Sequence, residues 1–151
     1  DIGLKWPNDL WVKERKLAGI LIEAATAGDH SQLVIGIGIN IRPRPAEGLS
    51  TPPAALTELW PAATAGDALL RLMPPLVRAL QAFEQKGFAP LQPLFDARDV
   101  LRGREVLTSD GLQGQALGLG PTGALRLLTA QGERDVLSSE VSVRPFKGNA
   151  S

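Results

Sequence analysis

Four apolar runs, residues 2–6, 10–12, 16–25 and 32–41, are separated by polar turns only a few residues long, and this spacing most narrows the fold. Connections that short cannot carry the crossover a parallel pair needs, so the runs pair antiparallel with their sequence neighbours. The turns are chemically explicit. Pro7 fixes its own φ and biases Trp6 toward extended backbone, and Asn8-Asp9 is turn chemistry, so a strand ending at Trp6 reverses into Leu10-Trp11-Val12. A second reversal through Lys13-Glu14-Arg15 brings Lys16 back toward Asn8 and Asp9. A cation, an amide and a carboxylate then share one sheet edge.

Beyond this sheet the pattern changes twice. Arg42-Pro43-Arg44-Pro45 ends the ladder, and five of the twelve prolines fall between Pro43 and Pro61, which predicts a long loop. Residues 54–60 read as a short helix, and Thr64 with Asp67 resembles a helix cap. Leu69, Leu72, Leu76, Leu80 and Phe83 then recur every three or four residues, the spacing of a core-facing stripe. Pro74-Pro75 inside that stripe predicts a kink or two helices meeting, with a stop at Lys86-Gly87. A further short helix is expected over residues 91–97. From Leu101 onward, short alternating runs, including 141–143, and frequent Gly-containing turns predict a small all-β barrel. The fold class expected is α+β, with one domain over residues 1–97, a second over 98–146 and a frayed tail at 147–151.

Composition removes several chemistries. With no cysteine and one histidine, thiol nucleophiles, disulfides, cysteine-rich zinc sites and Ser-His-Asp triads are excluded or nearly so. That histidine, His30, lies in the polar connection Ala27-Gly28-Asp29-His30-Ser31 and is expected to be solvent-exposed. Sixteen basic and sixteen acidic side chains balance, without the basic excess of a nucleic-acid-binding domain. No apolar run approaches the ~20 residues of a membrane-spanning helix, and no signal peptide opens the chain, so a soluble, cytoplasmic protein is expected. The chain starts with Asp1, inside what reads as a strand, which suggests a piece of a longer protein.

Two glycine motifs read differently. Gly118-Leu119-Gly120-Pro121-Thr122-Gly123 has the spacing of a dinucleotide loop, but Pro121 and the alternating runs on either side describe a hairpin. In Gly36-Ile37-Gly38-Ile39-Asn40, the glycines can lower a sheet surface so that a planar ligand lies against it, with Asn40 reading its edge. Lys5, Asn8, Asp9, Lys16 and Asn40 together suit an anionic ligand carrying a hydrogen-bonding ring. Lysines neutralise phosphate or carboxylate charge, Asp9 can hold Mg²⁺, and Asn amides match the edge of adenine. Trp6 and Trp11 read as core, Trp60 as part of a mobile lid, and Arg42 and Arg44 as a solvated pair.

Lys5-Trp6-Pro7-Asn8-Asp9, Lys16-Leu17-Ala18-Gly19-Ile20-Leu21-Ile22-Glu23 and Val34-Ile35-Gly36-Ile37-Gly38-Ile39-Asn40 resemble, in order and spacing, the biotin protein ligases, or biotin–[acetyl-CoA-carboxylase] ligases. The likeness extends through Phe83-Glu84-Gln85-Lys86-Gly87 and the small β-domain, SH3-like in that family. It implies a catalytic fold similar to class II aminoacyl-tRNA synthetases. It also implies formation of biotinyl-5′-AMP from biotin and ATP with Mg²⁺, then transfer of biotin to a lysine of a biotin carboxyl carrier protein domain. By the same resemblance Lys16 contacts biotin and the α-phosphate, Asn8 and Asn40 bind adenine, Asp9 organises metal or phosphate, and the loop from Arg42 to Trp60 closes over the adenylate. The family's Gly- and Arg-rich biotin loop normally precedes the Lys-Trp-Pro-Asn-Asp motif. The chain is therefore expected to carry the adenine side of the site, to be inactive or weak alone, and to lack any DNA-binding domain; sheet-edge homodimerisation is a further family property. Two other functions fit the same residues: a non-catalytic carrier-docking or dimerisation module, and a lipoate-type acyl ligase.

Overall fold

The structure, a computed structural model, describes residues 1–27, 30–137 and 143–145. Its architecture is α+β, two antiparallel sheets with few helices. Contacts group the chain into two compact units, residues 1–2 with 8–71 and residues 3–7 with 72–151.

In the first unit β2 (Asp9–Val12), β3 (Arg15–Ala27) and β4 (His30–Ile39) pair antiparallel in chain order, as the short turns require. Val12 faces Arg15, so Lys13 and Glu14 form a two-residue turn, with φ of 48° and 63°. Such turns match the twist of the strands they join but need left-handed backbone at both positions. The register also slips once. Leu10 faces Ala18 while Trp11 faces Lys16, which leaves Leu17 as the extra residue of a β-bulge.

After β4 the proline-rich stretch divides into two parts. Residues 42–50 are exposed, Arg42 and Arg44 among them. The following residues are anchored, unlike the long loop that the prolines predict. Lys16 N–H donates to the Pro52 carbonyl at 2.9 Å and Ala54 N–H donates to the Lys16 carbonyl at 2.8 Å, a parallel bridge centred on Pro53. Proline lacks a donor, but this bridge asks Pro52 only for its carbonyl. Ala54 packs with Val12, Leu17 and Ala18 in a small core, and a 3-10 turn over Leu56–Glu58 stands within the predicted short helix. The Arg15 guanidinium grips the Glu58 carboxylate with both branches, one at 3.0 Å, and Glu58 also accepts the Ala55 N–H at 2.8 Å.

Helix α1 (Ala65–Lys86) begins in the first unit and ends in the second. Thr64 Oγ1 accepts the Asp67 N–H and the Asp67 carboxylate accepts the Thr64 N–H, a reciprocal cap. Gly87, at φ +65°, ends the helix by donating to the Phe83 carbonyl. Of the kink or two meeting helices expected at Pro74-Pro75, two helices are not seen: α1 runs unbroken through both prolines. The carbonyls deprived of donors belong to Leu70 and Arg71, both exposed, so water can satisfy them. The apolar stripe is not buried either: Leu69, Leu80 and Phe83 are exposed, and Leu72 and Leu76 are half-buried. Helical periodicity marks a face that wants cover, but does not say what covers it.

In the second unit the Leu4 backbone of β1 (Gly3–Lys5) donates to Arg98 at 2.7 Å and accepts from Val100 at 3.0 Å. Helix α2 (Gln92–Asp96) precedes β5 (Glu105–Thr108), β6 (Gln113–Leu119), β7 (Leu125–Thr129), β8 (Gly132–Val136) and β9 (Val143–Pro145). These strands form a sheet ordered β8-β7-β6-β5-β9, with β8 and β9 at its edges. Among the described residues no pairing closes it into the expected barrel. Trp6, Leu101, Val106, Leu125 and Leu127 make its core, where the Trp6 indole N–H donates to the Gly123 carbonyl at 3.1 Å. Gly118 to Gly123 is the predicted hairpin: Gly120 donates to Ala124, and both end glycines have positive φ. The exposure of His30, residues 141–142 of the last predicted strand and the predicted tail lie outside the described residues. No helix among the described residues is long and apolar enough to cross a membrane.

Candidate functional site

Asp9, Gly19 and Gly38 face one another in a single row across β2, β3 and β4, and the next row on that face pairs Leu21 with Gly36. Side chains on a regular strand alternate, so Lys16, three residues before Gly19, belongs on the opposite face. The bulge at Leu17 changes the count. It turns Lys16 to the side of Asp9 and Gly19, and Lys16 Nζ meets Asp9 Oδ1 at 2.6 Å. Asp9 is mostly buried, with 14% of its side chain exposed, whereas Lys16 keeps 40%, so the ammonium is held yet accessible.

Two amides fix the strand beneath that pair. Asn8 Nδ2 donates to the Ile20 carbonyl at 2.7 Å, and the Asn8 carbonyl accepts the Ile20 N–H at 2.9 Å. Asn40 Nδ2 donates to the Lys16 carbonyl at 3.0 Å, and its own N–H donates to Leu17 at 2.9 Å. Only the NH₂ end of each amide can face a carbonyl, which leaves each Oδ1 as an acceptor for other partners. Lys16 to Ile20 is thus held at both ends, with Pro52 and Ala54 adding the third side.

Gly36 and Gly38 leave the adjoining surface bare. Neither has left-handed φ, and a Cβ built on either meets nothing closer than 3.7 Å. Folding of this unit does not demand glycine there, so a flat floor is the physical consequence of the missing side chains.

The structure brings Asn8, Asp9, Lys16, Gly36, Gly38 and Asn40 together in the first unit. The other two residues are Lys5 and Trp60. Lys5 is buried in β1 of the second unit. Trp60 lies at the end of the anchored segment with the Arg71 guanidinium 4.2 Å from its ring centroid, a cation–π contact. Sequence reasoning missed Arg15 and Glu58, whose ion pair ties that segment beside Lys16, and gave Gly19 no role. Spacing carried no signal for the Arg15–Glu58 pair, because the partners lie far apart in sequence and meet only through the Pro53 bridge. Among the described residues no group of three or more His, Cys, Asp or Glu is placed to hold a metal ion.

Comparison with known proteins shows what the chain as a whole is similar to. Residues 1–40 match the model of the biotin/lipoate A/B protein ligase family. The bifunctional ligase/repressor BirA of Escherichia coli is 34% identical over 95% of the chain. A biotin–[acetyl-CoA-carboxylase] ligase of Paracoccus denitrificans is 31% identical over 93% of it. The apo biotin protein ligase of Aquifex aeolicus superposes with a TM-score of 0.83 at 28% identity, over 96% of this chain and 66% of that one. Over nearly all of its length the chain is similar to biotin protein ligases. It spans about half the length of the curated relatives it matches, 46% of the Escherichia coli protein and 62% of the Paracoccus protein. Another biotin protein ligase structure from Aquifex, solved in complex with biotin and ATP, matches with a TM-score of 0.82 at 28% identity, over 96% of this chain and 62% of that one.

Proposed function

We propose that this chain supplies the adenine side of a biotin protein ligase site, in which biotin is activated by ATP and passed to a carrier lysine. The observation that carries the reading is the Lys16–Asp9 pair, turned by a bulge onto a glycine floor and flanked by two anchored amides. In the first step a biotin carboxylate oxygen attacks the α-phosphorus of ATP and pyrophosphate leaves. Two anions must approach, so a positioned ammonium stabilises the charge that accumulates between them, and Lys16 is the exposed cation of the pair. Asn8 and Asn40 offer acceptor oxygens that suit the amino group of adenine. Gly36 and Gly38 give a planar ring a surface to lie on, and Trp60, as part of the proposed lid, would cover the adenylate. Lys5 is assigned to substrate binding because a second lysine charge suits an anionic ligand.

In the second step a lysine amine of a biotin carboxyl carrier protein domain attacks the acyl carbon of biotinyl-5′-AMP, and AMP leaves. Little is needed beyond placement and exclusion of water. Mg²⁺ commonly takes one or two carboxylates together with substrate phosphates, and Asp9 supplies one such oxygen ligand. The ion would screen the phosphates; its carboxylate is at present paired with Lys16. By the same resemblance the five-stranded sheet corresponds to an SH3-like barrel, the protein is cytoplasmic, homodimerises along a sheet edge and, in these 151 residues, binds no nucleic acid.

The test joins the chain to the remaining part of a ligase such as the Paracoccus protein, with biotin, ATP, Mg²⁺ and a carrier domain. Lys16→Ala is expected to lower biotin transfer by about 10²- to 10³-fold, the usual loss when one charge-stabilising group is removed. Undiminished transfer would take Lys16 out of the mechanism. The 151 residues alone are expected to show little or no transfer. A lipoate-type activity is the second reading, because the matched family model spans both acyl groups. Competition between biotin and lipoate in the joined protein separates them.

A further inference from the structure

We propose that Gly19 is a positioning residue whose missing side chain is the space in which the Lys16 ammonium meets the Asp9 carboxylate, an inference that rests on the adenylation role of Lys16. A Cβ built on Gly19 would lie 3.1 Å from both Lys16 Cε and Lys16 Nζ and 3.3 Å from Asp9 Oδ1. Those are its three nearest atoms, and none belongs to a backbone. Gly19 has no left-handed φ, so no turn requires glycine at this position.

The contrast with Gly114 makes the distinction physical. There an added Cβ would strike the Leu128 carbonyl oxygen at 2.6 Å, so the sheet itself demands glycine. At Gly19 the contacts are only slightly too close, and the atom best able to move is the end of a flexible lysine. A methyl group would therefore displace the ammonium and leave the strands in place. The bulge at Leu17 aims Lys16 toward this face, and Gly19 leaves the room in which it comes to rest.

The experiment uses Gly19→Ala, Lys16→Ala and the double variant in the complete gene product, of which these 151 residues form all or part. Biotin-dependent pyrophosphate exchange reads the first step. Gly19→Ala should lower its rate by about 10- to 100-fold, as a misplaced catalytic group does. In the Lys16→Ala background the same change should have less than about a twofold effect, the limit expected when one residue acts only through another. Equal factors in both backgrounds, an unchanged rate in Gly19→Ala, or loss of folding in that variant would each overturn the proposal.

A second readout needs no substrate. The ¹⁵N resonance of the Lys16 ammonium should shift when Asp9→Asn is introduced into the parent, and should no longer respond once Gly19→Ala is present. A response of the same size in both, or in neither, rejects the assignment. If the parent forms no adenylate from biotin and ATP, the ligase reading fails, while the ammonium measurement still decides the role of Gly19.

Discussion

At the scale of single residues, two carboxyl groups give the acid response opposite signs. The Arg15 hydrogen bond holds the Glu58 carboxyl below the usual glutamate range, so this ion pair adds stability above that range and loses it as pH falls. Burial pushes Asp99 up, against the Leu101 N–H that donates to it at 2.8 Å, so its charge opposes folding at neutral pH. Protonation removes that penalty. Unfolding followed by circular dichroism across acid pH should separate the two. Glu58→Gln is expected to lower stability near neutrality and to flatten the acid decline. Asp99→Asn should raise stability near neutrality, and the gain should vanish in acid. The sequence made Asn8, Asp9, Lys16 and Asn40 legible as a group because turn chemistry and strand spacing brought them together. It could not reveal that both Asn amides fasten β3 from opposite ends, because those partners are backbone carbonyls and any residue can provide one.

At the scale of elements, the strands followed from alternation and from the lengths of the turns, while the exceptions lie where local pattern meets a distant partner. The bulge at Leu17 is an example: nothing in Lys16-Leu17-Ala18-Gly19 marks an extra residue, and it appears only against β2. Residues 51–60 are another, since prolines that look like loop punctuation supply carbonyls to an edge. The turn that joins β2 to β3 has a cost that the sequence shows once the backbone is known. Lys13 and Glu14 occupy left-handed positions that favour Asn and Gly. The double substitution Lys13→Asn, Glu14→Gly is expected to stabilise the hairpin by about 1–2 kcal/mol, read as a higher denaturant midpoint with an unchanged m-value. A fall in the midpoint would mean that the lysine and glutamate side chains contribute more than the backbone strain.

At the scale of the molecule, the exposed stripe of α1 and the second unit's sheet, which no pairing among the described residues closes, show where pattern alone runs out. Amphipathicity identifies a face but no partner, and regular short strands do not determine whether a sheet closes. The first unit has its own version of that problem in the order of its formation. Strands β3 and β4 pair as sequence neighbours, whereas the bridge from Lys16 to Pro53 must close over the whole of both strands. Contacts distant in sequence are entropically expensive to form before the local ones exist. Because the Ile20 N–H faces Asn8, the alternating pairs that bond β3 to β4 include Leu21 with Gly36. During refolding, pulsed hydrogen exchange should therefore protect the Leu21 and Gly36 amides before those of Lys16 and Ala54; simultaneous protection would contradict this order. The proline edge thus makes Lys16 a late-maturing residue: a nascent chain can already have its central hairpin while the lysine proposed to act in catalysis is still unfastened, so on that proposal newly made protein acquires shape before it acquires competence.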